Sequence, residues 1–298
     1  KRREIDAFRP KRDLGETMGL PVVQHLYGWP TYDSEEIFFD SIEDGIFATP
    51  STSKLVLETS YGMKIVFKGE FTVTEGVLTG GTVSSFKAFA GPTKVLTGSG
   101  YELDAVDLVV AIGLWQASDQ QPLADLLLDI PTKYVGSKQD DFLYADGIGS
   151  KIHGKDGNDT VVGGDADQVL KGGKGNDFLF AHDGLSFMYG GKGNDVFAFA
   201  DPTLPNKIKD FDPKHDQIGL DGWGFDAIGP GFLTDDQFHV GKQAKTESQI
   251  IIYDKKSGAL YYDGDGSGSE AQIQFAKVGK GLDISAGNFF GELFGHTT

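Results

Sequence analysis

Cysteine is absent from the 298 residues, which excludes disulfides and thiolate zinc sites. Long apolar runs are absent too. No stretch approaches the roughly 18 apolar residues of a membrane-crossing helix, and the opening KRREIDAFRPKRDLGETMGL lacks the apolar core of a secretory signal. Basic residues are scarce beside acids, 27 Lys and Arg against 44 Asp and Glu, for a net charge of −17. Such acidity argues against nucleic acid or an anionic membrane surface as partner. It suits metal cations, or solubility alone. There is no H-E-x-x-H and no G-x-S-x-G, so neither a zinc protease nor a serine hydrolase is supported. Paired carboxylates for glycosidic chemistry stay open, because so many acids make coincidental pairs easy. The reading leans against an enzyme. The chain opens at Lys1 and not at methionine, which leaves room for a longer precursor.

What is abundant is glycine, 42 residues, and much of it falls in a repeat. Residues 136–198 divide into seven nines: GSKQDDFLY, ADGIGSKIH, GKDGNDTVV, GGDADQVLK, GGKGNDFLF, AHDGLSFMY and GGKGNDVFA. Glycine crowds the first four places, acids recur at the sixth, and the eighth is always apolar: Leu143, Ile152, Val161, Leu170, Leu179, Met188 and Phe197. Glycines at places 1, 2 and 4 permit left-handed backbone and let carbonyls turn toward one point. The acid at place 6 adds a carboxylate, which gives the all-oxygen surroundings calcium prefers. Places 7–9 form a short strand whose central side chain points inward. Two stacked units complete one coil of 18 residues.

The pattern resembles the RTX, or hemolysin-type, repeat G-G-x-G-x-D-x-U-x, where U is a large apolar residue. GGKGNDFLF and GGKGNDVFA match it in full, and GKDGNDTVV misses only the second glycine. The stretches IKDFDPKHDQIGLD and LYYDGDGSGSEAQIQFAKV also look like the flanks of RTX proteins. The resemblance implies a β-roll whose turns alternate between two sides, with each calcium between turns two repeats apart. Sorted by parity, one side has Asp141, Asp159, Asp177 and Asp195 at place 6, and the other has Ser150, Gln168 and Ser186. The expectation is a one-sided roll with about three calcium ions between the four Asp turns. Backbone carbonyls of Gly154, Gly157, Gly172, Gly173, Gly175, Gly190, Gly191 and Gly193 complete the shells by carry-over from the family. Asp165, Asp167 and Asp183, on the other side, are read as solvated. Asp210, Asp212 and Asp216 are read with equal weight as a cap on the last calcium site or as a solvated turn. The loop from Asp263 to Ser269 superficially resembles the start of an EF-hand, but its twelfth place is Gln274 and its context is strand, so it reads instead as a tight polar turn, with a weak extra ion as the lesser alternative.

The outward places 7 and 9 split the same way. The Asp-bearing units show Phe142, Tyr144, Thr160, Val162, Phe178, Phe180, Val196 and Ala198, a face too apolar to be left in water. Either the flanking regions cover it or a partner does.

The fold class expected is mainly β, with the parallel β-roll flanked on both sides. Residues 1–135 read as a β-rich N-terminal region with one or two short helices that cap the roll. Its lead-in, 1–50, is irregular. Strands follow over 54–103, with Ile65, Phe67 and Phe71 on one face. One helix follows from an Asp104 N-cap, with Val106, Val109, Val110 and Leu114 as its stripe, and a second covers 122–129. Residues 199–298 read as an antiparallel β cap with the probable secretion-signal region, ending in a Gly-rich tail loosely ordered at its last residues.

The function expected is that of a secreted RTX calcium-binding protein that folds on meeting extracellular calcium. The resemblance further implies export by a type I secretion machinery from a Gram-negative bacterium, with a C-terminal uncleaved signal. An adhesin or surface-matrix role, with a cell-surface glycan or protein as partner, is one outcome. The alternative is the C-terminal folding and secretion module of a larger enzyme or toxin, and a hydrolase in residues 1–135 is a third.

Overall fold

The computed structural model describes residues 21–25, 42, 44–60, 62–117, 123, 126, 130–145, 147 and 149–291. Most of the lead-in lies outside the described residues. So do the last residues, 292–298, and the second expected helix apart from Leu123 and Leu126, which are helical. The chain is mainly β, with 48% strand against 7% helix.

The N-terminal strands are β1 (Val22–His25), β2 (Ile46–Phe47), β3 (Lys54–Glu58), β4 (Met63–Thr74), β5 (Val77–Ala90) and β6 (Thr93–Asp104). From β2 to β6 they form an antiparallel meander. Alternation along β4 buries Ile65, Phe67 and Phe71 as expected. Helix α1 (Ala105–Gln116) starts where Asp104 accepts from the amides of Val106 and Asp107, at 2.8 and 3.0 Å. Its buried residues are Ala105, Leu108, Ala111 and Ile112. Val110 and Leu114 of the expected stripe are exposed. The helix is apolar nearly all round, so spacing alone could not choose the face that packs.

The roll follows. Strands β7 (Lys133–Val135), β9 (Lys151–Asp156), β11 (Gln168–Lys174) and β13 (Ser186–Lys192) lie parallel in one sheet. Strands β8 (Phe142–Ala145), β10 (Thr160–Gly163), β12 (Phe178–Ala181) and β14 (Val196–Phe199) lie parallel in the other. The register advances by one coil per strand: Leu143 pairs with Val161, Val161 with Leu179, and Leu179 with Phe197. All seven place-8 side chains are buried, each a gain of roughly 1.5–3 kcal/mol for a fully buried large apolar side chain.

The ladder does not stop at residue 198. Strand β15 (Asn206–Ile208) adds parallel to β13, and β16 (Gln217–Leu220) adds parallel to β14. Then come β17 (Gly231–Phe232), β18 (Phe238–Val240), β19 (Ile251–Asp254), β20 (Ala259–Tyr262), β21 (Ile273–Lys277) and β22 (Phe289–Gly291). The expected antiparallel cap is present in β19, β20 and β21. Its outer members still extend the coil, since β21 pairs parallel with β15 and β22 with β16. Altogether the parallel solenoid has about 5 turns.

At the N-terminal end the roll meets a strand where the sequence suggested a helix. Strand β1 pairs parallel with β7 and antiparallel with β6, so meander, roll and cap share one 15-stranded sheet. A strand satisfies the open amides and carbonyls of β7 directly, which a helix cannot do.

Candidate metal centre

The turns that precede β8, β10, β12 and β14 carry Asp141, Asp159, Asp177 and Asp195, all buried. Each backbone amide donates to Oδ1 of the aspartate one coil further on: Asp141 to Asp159 at 2.9 Å, Asp159 to Asp177 at 2.8 Å, and Asp177 to Asp195 at 2.9 Å. The row continues one rung beyond the repeats, where the Asp195 amide donates to Oδ1 of Asp216 at 3.1 Å. Asp216 is one of the three aspartates that the sequence left undecided. Its spacing from Asp195 is 21 and not 18, so three inserted residues hid it. The signal was the same triplet, an aspartate two residues before an apolar one, here Ile218. Asp210 caps the turn beside it by accepting from the amides of Gly190 and Gly191 at 3.0 and 3.1 Å. Asp212 is exposed. Asn288 closes the end of the row by donating to the carbonyls of Pro213 and Asp216.

With Oδ1 committed to an amide, the second oxygen is left over. Oδ2 of Asp159 and of Asp177 is buried and accepts no hydrogen bond. These oxygens lie over the place-1 glycines: a Cβ on Gly154 would meet Asp159 Oδ2 at 2.1 Å, and one on Gly172 would meet Asp177 Oδ2 at 2.2 Å. Gly157, Gly173, Gly175, Gly191 and Gly193 all have positive φ, between +108° and +139°, a backbone that a side chain disfavours. Lys155 occupies the place of the missing second glycine and is held at φ 91°. Burial, and then the neighbouring carboxylates, push Asp159 and Asp177 up to about 7, against the opposing effect of the donated amides. Asp195 is pushed up to about 6, again chiefly by burial. A buried carboxylate with a bare oxygen is costly unless a proton or cation meets it. The donor set is oxygen only, which fits a hard cation such as calcium.

The opposite turns satisfy themselves. Ser150 Oγ accepts from the Thr132 amide at 3.0 Å, and Gln168 Oε1 accepts from the Gly164 amide at 3.2 Å. Gln168 Nε2 donates to the Ala145 carbonyl, and the Ser186 amide donates to Asn206 Oδ1 at 2.6 Å. Among the described residues, none of these four side chains leaves a buried oxygen without a donor. Asp165, Asp167 and Asp183 are exposed, as expected.

Sequence reading also missed a second row, at place 5. The Asn158 amide donates to Asp140, the Asn176 amide to Asn158 and the Asn194 amide to Asn176, at 2.7, 2.7 and 2.8 Å. The recurring G-N-D was the available signal.

The outward face of the smaller sheet lies between the two readings weighed for it. Phe180 and Ala198 are buried, while Phe142, Tyr144, Thr160, Val162, Phe178 and Val196 are half-buried. Phe178 and Phe180 stack on one another at 6.4 Å. On the larger sheet, the ammonium groups of Lys171 and Lys207 sit over the rings of Tyr189 and Phe187, each at 4.9 Å.

Fold and site together define a parallel β-roll with a buried carboxylate row on one of its two sides. The chain carries RTX calcium-binding nonapeptide repeats: the family model of that description, in four copies, matches residues 153–187 and 162–197. Among solved structures, the chain is similar to the solution structure of a subunit of the Azotobacter vinelandii mannuronan C5-epimerase. The identity is 24% over 55% of this chain and 90% of that one, with a TM-score of 0.20. No curated protein sequence matches the chain. Among the described residues no helix is long and apolar enough to cross a membrane.

Proposed function

We propose that this is a secreted calcium-binding protein whose roll closes when calcium fills the aspartate side. The observation that carries the reading is the pair of buried, undonated oxygens on Asp159 and Asp177, set against an opposite side where Ser150 and Gln168 are hydrogen-bonded to backbone. About three ions lie between the turns of Asp141, Asp159, Asp177 and Asp195. Carbonyls of Gly154, Gly157, Gly172, Gly173, Gly175, Gly190, Gly191 and Gly193 complete their shells. Without the ions, like charges are stacked in a buried row and glycine-rich turns must be ordered with no compensation. A calcium-poor cytoplasm then keeps the chain open for export by a type I machinery, and calcium on the order of millimolar outside drives folding. Its role once outside is that of an adhesin or surface-matrix component, with the N-terminal meander as the part that meets a cell-surface glycan or protein. The alternative is the folding and secretion module of a larger exported protein.

Circular dichroism of the chain titrated with calcium from excess chelator tests the folding step. The expected result is a cooperative gain of β signal, reversed by chelator. A β spectrum already complete in chelator and unchanged by calcium overturns it.

A further inference from the structure

A second group of bare oxygens lies outside the roll, at the end of the β20–β21 hairpin. The antiparallel register pairs Tyr262 with Ile273. Asp263 directly follows Tyr262 and Gln272 directly precedes Ile273, so the two flank the last registered pair of the hairpin. Asp263 is 6% exposed. Its Oδ1, Asp265 Oδ1 and Gln272 Oε1 are all buried and accept no hydrogen bond. Burial, and then the neighbouring carboxyl of Asp265, push Asp263 up to about 6. Two neighbouring carboxylates repel when both are ionised, so a proton or a cation between them lowers the energy.

The rest of the loop is fastened so that these oxygens stay in place. Asp265 Oδ2 accepts from the amides of Ser269 and Glu270 at 2.8 and 3.1 Å. Gln272 Nε2 donates to the Lys242 carbonyl at 2.9 Å. The Ser267 amide donates to the Thr246 carbonyl, and the Asp263 amide donates to that of Ile250. Gly266, at φ +62°, lets the loop press against segment 246–247, where an added Cβ would sit 2.5 Å from the carbonyl oxygens of both Thr246 and Glu247. These three oxygens therefore accept nothing from the protein, in a loop whose backbone is fastened to the 242–250 segment. A buried acceptor left bare is costly, and three of them in one loop with no nitrogen or sulfur make a hard-cation donor set.

We propose that Asp263, Asp265 and Gln272 form a calcium site separate from the roll, which pins the β20–β21 hairpin to the 242–250 segment. It is not an EF-hand: the ligands come from both strands of a hairpin, and no bidentate glutamate closes the loop. The ion links the antiparallel cap internally, whereas the roll's ions link successive coils.

Native mass spectrometry of the full chain in calcium reads the ion count. The D263N/D265N double variant is expected to carry one ion fewer than the parent, and an unchanged count overturns the proposal. Because the result is a difference, it holds whatever number of ions the roll binds. Gln272→Glu covers the case in which the double variant does not fold. A third carboxylate at a cation site tightens binding there by about tenfold and raises the melting temperature in calcium relative to the parent. If Asp263 and Asp265 instead share a proton, Gln272→Glu lowers the melting temperature in calcium relative to the parent, which also overturns the proposal.

Discussion

At the scale of single residues, the repeat works by matching each place to one physical demand, and Lys155 is where the match fails. Its backbone at φ 91° is one that glycine adopts freely and a side chain resists. Lys155→Gly, which restores the family's second glycine, is expected to stabilise the folded roll by about 1 kcal/mol. Urea denaturation in excess calcium measures this, and a loss of stability would show that the lysine side chain contributes more than its backbone costs. Gly172 makes the opposite case. It has no need of unusual backbone, but Asp177 Oδ2 occupies the space where its Cβ would go, at 2.2 Å. Gly172→Ala should cost about 1–3 kcal/mol by overpacking and should displace the carboxylate, so the calcium midpoint shifts upward with the loss of stability. Asp177→Asn separates charge from shape. Removing a buried, poorly compensated charge makes the chain more folded in chelator, while loss of a ligand weakens calcium binding by about tenfold or more. Circular dichroism in chelator and in saturating calcium should therefore move in opposite directions. A variant that is less folded in both conditions would mean that Asp177 is held by interactions other than a cation.

At the scale of elements, the two sides of the roll reach the same backbone geometry by different means, and the difference can be measured. On the neutral side Gln168 bonds the Ala145 carbonyl and the Gly164 amide. Gln168→Leu removes both side-chain bonds, at about 1 kcal/mol each, while the Gly164 amide still donates to the Ala145 carbonyl at 3.0 Å. It should lower the melting temperature in saturating calcium and leave the ion count unchanged, which a melt and mass spectrometry would read. A fall in ion count would place calcium on this side as well. The sequence made this asymmetry legible because place 6 is a single residue type whose charge can be read directly. Strands β3 to β6 were legible for a similar reason, through alternation. What escaped was anything set by tertiary partners. The buried face of α1 could not be chosen because its apolar residues surround it. The strand that closes the roll is β1, four residues without a periodic signal. Asp216 and Asn206 continue the two polar rows, but insertions carry them out of the nine-residue register: 21 residues separate Asp195 from Asp216, and 20 separate Ser186 from Asn206. The place-5 row of Asn158, Asn176 and Asn194 was visible as a repeated letter, yet its role depends on backbone amides that no sequence displays.

At the scale of the whole molecule, the proposed coupling of folding to calcium at the carboxylate row carries a pH dependence with it. Asp159 and Asp177 are pushed up to about 7 and Asp195 to about 6, from an ordinary 3.8, chiefly by burial. Between these limits the folded chain without calcium holds more protons than the unfolded chain. Its stability therefore falls as pH rises through the window and recovers as pH drops. Below about 4 both states are protonated and nothing further is gained. Calcium reverses the sign. An ion can bind only where the protons have left, so its affinity rises with pH across the same window and levels off above about 7. In chelator, circular dichroism at pH 5 should show more folded chain than at pH 8, whereas the calcium midpoint at pH 5 should lie well above that at pH 8. Calorimetry near pH 6 should detect protons released as calcium binds. If the midpoint is the same at both pH values and no protons are released, the aspartates are already ionised in the calcium-free fold, and the buried row does not act as the switch for folding.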